Sequence, residues 1–99
     1  MADYFIVVDV RIDDAETYGE YMKLAKPLVE KHGGEYLVRG GDFKVYEGDY
    51  FEPRRLVLLR FPSKQKYEEF FYSDDYQKVR EIRLPAGDMI MIGVEGFEG

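Results

Sequence analysis

The chain has 99 residues, room for one domain, and its 45% hydrophobic content is too high for disorder. A net charge of −6, with no Lys/Arg cluster larger than the Arg54-Arg55 pair, argues against nucleic-acid partners. There is no cysteine, which excludes disulfides, thiolate metal sites and cysteine nucleophiles, and no run near the ~20 apolar residues of a membrane span; a soluble, cytoplasmic protein is expected.

The first predicted element is a strand over residues 4–12, YFIVVDVRI, rich in β-branched and aromatic residues. Asp13 and Glu16 have the spacing of a capping box, so a helix should follow. Its apolar positions, Tyr18, Tyr21, Met22, Ala25, Leu28 and Val29, share one face of a 3.6-residue period. Pro27 removes a helical amide, which predicts a bend near Lys23. Gly33 suits the left-handed position that ends a helix.

Residues 35–39 read as a short strand. The pair Gly40-Gly41 allows a bulge or a positive φ, after which 43–47 is expected to continue extended. Residues 48–53 read as a polar turn, and 55–61, RLVLLRF, as the clearest strand of the chain. Ser63 then caps a helix carrying Tyr67, Phe70 and Phe71, and Ser73 caps a shorter one carrying Tyr76, Val79 and Ile82. The run Pro85-Ala86-Gly87 stops it, and 89–94, MIMIGV, is the last strand. The order β-α-β-β-α-β, with an extra helical segment, predicts an α+β fold: a ferredoxin-like sandwich with both helical layers on one face of an antiparallel sheet, as a single domain over 1–99.

Helices cover one face of such a sheet, and a wetted second face should be polar. Here it is not. Phe5 and Val7 oppose Tyr4, Ile6, Val8 and Val10; Leu56 and Leu58 oppose Val57, Leu59 and Phe61; Ile90, Ile92 and Val94 oppose Met89 and Met91. A four-stranded sheet has a flat footprint of roughly 330 Å² before side-chain relief, large for an uncovered apolar patch. A second copy packed on that face, closing a dimeric α/β barrel, is the expected partner.

The stretches HGGEYLVRGGD, EGDYFEPRRLVLLRFPS and FYSDDYQKVREIR followed by VEG resemble domain-of-unknown-function family 1330, over about residues 4–96. The resemblance implies the dimeric α/β-barrel superfamily, which includes small monooxygenases, haem-degrading enzymes, chlorite dismutases and stress-response proteins. It implies no particular activity. The chain departs from the family pattern twice: Arg60 stands where an acidic residue is expected before FPS, and Phe71 where a tryptophan is expected.

Few residues are candidates for chemistry. His32, the one histidine, lies at the end of the first helix, where it is a C-terminal cap or partly packed side chain, a ligand-contacting or acid–base group, or, with no cofactor motif to support it, a haem-iron ligand. Arg39 shares a strand face with Leu37 and either pairs with a carboxylate or awaits an anion. Asp9, among Phe5 and Val7, is its candidate internal partner, and Arg60 and Arg83 raise the same question as Arg39. His32 and Arg39 flank one short segment, so a ligand could bridge them. The glycine pairs form neither GxGxxG nor GxxxxGK[ST] and open no helix, so they are joints and not a phosphate loop. The SxxK at Ser63–Lys66 lacks the motifs that accompany it in penicillin-interacting enzymes. One histidine, no cysteine and no EF-hand spacing give no metal site, and no motif implies a cofactor. Two functions remain: a homodimer that binds a small polar or anionic organic molecule between sheet and helices, with or without cofactor-independent catalysis, or a non-catalytic dimeric interaction or stress-response module.

Overall fold

The computed structural model describes residues 2–98. Strand β1 (Tyr4–Ile12) is central, flanked by β3 (Leu56–Phe61) and β4 (Gly87–Glu95), with β2 (Glu35–Arg39) outside β3. All pairings are antiparallel, and the order β2-β3-β1-β4 interleaves two split βαβ units in the ferredoxin-like plan. Helices α1 (Ala15–Lys31), α2 (Lys64–Phe71) and α3 (Asp74–Arg83) cover one face, and a 3₁₀ turn at Leu84–Ala86 leads into β4. No helix among the described residues is long and apolar enough to cross a membrane.

The predicted caps at Ser63 and Ser73 form as expected: their hydroxyls accept from the amides of Lys66 and Tyr76. The cap of α1 lies one residue later than the capping box suggested. Asp14 accepts from the Thr17 amide and hydroxyl at 3.1 and 2.8 Å, because Asp13 is held elsewhere, its carboxylate by Arg11 and its amide by the Ala86 carbonyl. Helix α1 runs unbroken past Lys23. Pro27 sits on its exposed side, where the carbonyl left without a donor can turn to water.

The bulge in β2 falls at Leu37, between Tyr36 and Val38, and not at the glycine pair. It reverses the expected alternation. Tyr36 lies opposite Leu59 and Arg39 opposite Val57, so both project toward the helices, while Val38 lies opposite Leu58 on the other face. Gly40 then takes φ +75° and ends the strand, its amide donating to the Leu56 carbonyl at 2.9 Å. Residues 43–47, expected to be extended, form no strand: the chain leaves the sheet at Gly40 and stays exposed through residue 52.

The core lies between the sheet's inner face and the helices. Ile6, Val8, Val10, Val57, Leu59 and Phe61 pack against Tyr18, Tyr21, Ala25 and Val29 of α1, Phe70 of α2 and Tyr76 of α3. Phe70 and Tyr76 rings meet at 4.5 Å, and Phe71, in the place of the expected tryptophan, packs 5.5 Å from Tyr76. The outer face carries apolar side chains in rows. Val38, Leu58, Val7 and Ile92 run side by side across all four strands; Phe5 and Val94 adjoin that row on one side, Leu56 and Ile90 on the other. Of these, Val7 is 39% exposed, Ile90 57%, Ile92 49% and Val94 50%.

Candidate functional site

A cavity of about 40 Å³ lies between the inner face of the sheet and α1, α2 and α3, room for a few waters or a small anion. Most of its wall is apolar, from Ile6, Val8, Val57 and Leu59 to Met22, Met89 and Met91. Against this wall stand Tyr18, Tyr21, Tyr36, Tyr67 and Tyr76, and two arginines, Arg39 and Arg55.

The strand geometry delivers both arginines. The Leu37 bulge turns Arg39 inward, where its Nη2 donates to the Met22 carbonyl at 3.0 Å and its guanidinium lies 4.3 Å from the Tyr36 ring centre. Arg55 precedes β3 on the side of Val57 and Leu59. Its guanidinium lies 5.8 Å from the Tyr18 ring and its Nη2 lies 3.7 Å from the Met22 sulfur. Its Nη1 is buried with no hydrogen-bond partner among the described residues. Neither arginine forms an ion pair among those residues.

Four of these phenols are harder to ionise than a free tyrosine. Burial pushes the Tyr18, Tyr36 and Tyr67 hydroxyls above the ordinary phenol range. Tyr21 is pushed furthest, by burial and then by Tyr76, whose hydroxyl is 2.8 Å away. The wall holds no histidine, aspartate or glutamate. The site can hold negative charge between cations and neutral hydroxyls; it offers no side-chain base.

The residues singled out from the sequence do not converge. His32 is the C-terminal cap of α1: its Nδ1 donates to the Leu28 carbonyl at 2.9 Å and its ring packs 5.9 Å from Phe70, away from the cavity wall. The expected pairing of Asp9 with Arg39 does not occur, because the two project to opposite faces. Asp9 Oδ1 instead accepts from the amides of Arg54 and Arg55 at 2.8 and 3.1 Å, which fixes the backbone from which Arg55 reaches inward. Arg60 is on the outer face, held by Glu35 at 2.6 Å and Asp3 at 3.2 Å. Arg83 is buried on α3, 5.5 Å from the Tyr21 ring. Of the five, only Arg39 lines the cavity. Arg55 was missed, yet its signal was present: alternation in RLVLLRF gives Arg55 the parity of Val57 and Phe61, and Arg60 the opposite one.

An interleaved β-α-β-β-α-β sheet with one helical face defines the ferredoxin-like class. Residues 3–97 match the family model for a domain of unknown function, DUF1330, and the chain belongs to that family. Solved structures share the fold at low identity. RPA0582, a protein of unknown function from Rhodopseudomonas palustris, is 18% identical with a TM-score of 0.79, over 99% of this chain and 85% of that one. A dimeric ferredoxin-like protein of unknown function from Thermobifida fusca is 12% identical with a TM-score of 0.65, over 96% and 92%. A candidate antibiotic biosynthesis monooxygenase from Caulobacter crescentus is 15% identical with a TM-score of 0.61, over 98% and 92%. No curated protein matches the chain.

Proposed function

We propose that this chain forms a homodimer that binds a small organic anion, of the carboxylate class, in the cavity between sheet and helices, with Arg39 and Arg55 as the charged groups that hold it. The observation that carries the reading is the buried Arg55 Nη1, which has no acceptor among the described residues of a chain with 20 acidic side chains. A buried guanidinium N–H left without an acceptor costs about 1–3 kcal/mol, so its retention beside Arg39 is accounted for by an anion that supplies the missing acceptor. The tyrosine hydroxyls add donors, and the apolar wall excludes water, which strengthens each charge-assisted bond. With no base on the wall, the reading is binding; catalysis there would rest on stabilising negative charge in the ligand itself.

The homodimer rests on the outer sheet face. Its apolar rows dominate, and its charged groups already have partners: Arg60 pairs with Glu35 and Asp3, Arg11 with Asp13 and Asp88, and Asp9, between Leu56 and Ile90, accepts from the amides of Arg54 and Arg55. A second copy laid on that face covers the rows and leaves each of these charged groups with the partners it already has.

Titration calorimetry with formate, acetate, lactate and pyruvate at fixed ionic strength tests the site. At least one should bind saturably, and Arg39→Gln or Arg55→Gln should weaken it tenfold or more. Since Arg55→Gln also removes a buried N–H without an acceptor, it should leave stability unchanged or raise it. Binding that is equal in wild type and both variants overturns the reading.

A further inference from the structure

We infer that the hollow between α3 and the edge strand β4 is a second, separate site for an organic anion, held by Arg80 and Arg83. It has a volume of about 300 Å³, at the lower bound for a small-molecule site, and is far roomier than the interior cavity. Arg80 and Arg83 are three positions apart on α3, so their side chains lie on neighbouring parts of one face, and both line the hollow. Arg83 is only 7% exposed. The Nε atoms of both are buried with no hydrogen-bond partner among the described residues, and neither residue forms an ion pair there. Cations in the last turn of a helix complement its dipole, which accounts for two arginines at this end of α3. It does not account for two buried N–H groups without an acceptor.

The rest of the wall defines the ligand. Phe71, Leu84, Met89 and Met91 are apolar, so the body of the ligand is apolar and its charge is at one end. Asp88, the one carboxylate in the wall, is engaged by Arg11 at 2.6 Å. An oxyanion against Arg80 and Arg83 satisfies the orphaned donors, and an aromatic or branched body fills the space beside Phe71 and the methionines. The site is independent of the one proposed for Arg39 and Arg55: the two walls have only Met89 and Met91 in common.

The probe is benzoate, and the reporter is the arginine Nε–H signals in ¹H–¹⁵N spectra of the full chain, assigned with Arg80→Lys and Arg83→Lys. Benzoate should shift both signals along one saturating curve, and benzyl alcohol should not. Arg80→Gln, at a half-exposed position that leaves the fold intact, should weaken the response tenfold or more. The response should persist in Arg39→Gln/Arg55→Gln, which separates failure of this site from failure of the other. A shift that grows linearly with benzoate, that benzyl alcohol reproduces, or that survives Arg80→Gln overturns the inference. So does a response abolished by Arg39→Gln/Arg55→Gln.

Discussion

Arg55 owes its position to a glycine. A Cβ at Gly40 would come within 2.6 Å of the Arg55 Nε, and φ +75° is a conformation that side chains resist. Gly40→Ala should therefore cost about 1–2 kcal/mol in urea denaturation and weaken anion binding in the same variant, because the guanidinium must shift. An effect on stability with binding intact would separate the two roles and contradict the placement. The tyrosines give a pH signature. Tyr18, Tyr21, Tyr36 and Tyr67 all hold their protons more tightly folded than unfolded. Their contribution is present in full below the unfolded phenol value of about 10, and is lost as pH rises above it, since the unfolded chain then releases protons that the folded one keeps. Stability should fall steadily above about pH 10, with tyrosinate absorbance from these four rising only as the protein unfolds. Ionisation of all nine tyrosines before unfolding would contradict their burial. At this scale the sequence was only partly legible. It showed that Arg55 has the parity of Val57, but whether a charge at such a place meets a carboxylate depends on residues far away in the chain. His32 shows the same limit: its cap is set by the Leu28 carbonyl one turn back, and nothing local to it shows that the cavity lies elsewhere.

Among the elements, strands and helices were readable where periodicity was strong. The strand read at 55–61 formed, starting one residue later at Leu56, and the two serine caps came out as read, because a period of two and an N-cap hydroxyl are local signals. The bulge at Leu37 was not readable, and it decides the site. A one-residue shift exchanges faces, so Arg39 left the side of Leu37 and joined that of Tyr36. Residues 43–47 have strand-like composition but no neighbour to pair with once Gly40 turns the chain away. What holds this segment's far end is Asp9, which takes the amides of Arg54 and Arg55 while Val10 donates to the Arg55 carbonyl at 3.0 Å. Asp9→Ala leaves two amides without their acceptor and should cost about 1.5–3 kcal/mol in urea denaturation, with looser anion binding. A change within 0.5 kcal/mol, on the order of an ordinary surface substitution, would show that the clamp does not position the strand.

For the whole molecule, the two faces of the sheet divide the work: the inner face builds the cavities, and the outer face carries the apolar rows that the proposed second copy would cover. The two-sided apolar pattern was legible from the sequence, since alternation along β1, β3 and β4 survives any error at their ends. Light scattering after size exclusion should give about twice 11.7 kDa, and Ile92→Glu, at the end of the row through Val7 and Leu58, should give the single chain. A wild-type monomer at micromolar concentration would remove the reason for the apolar rows. The central claim is that an anion enters the interior beside Arg39 and Arg55. Crystals soaked in bromide, with anomalous scattering recorded at the bromine edge, test it most directly. The account predicts an anomalous peak in the cavity within hydrogen-bonding reach of the Arg55 Nη1; an interior without bromide, in crystals whose surface sites are occupied, would contradict it.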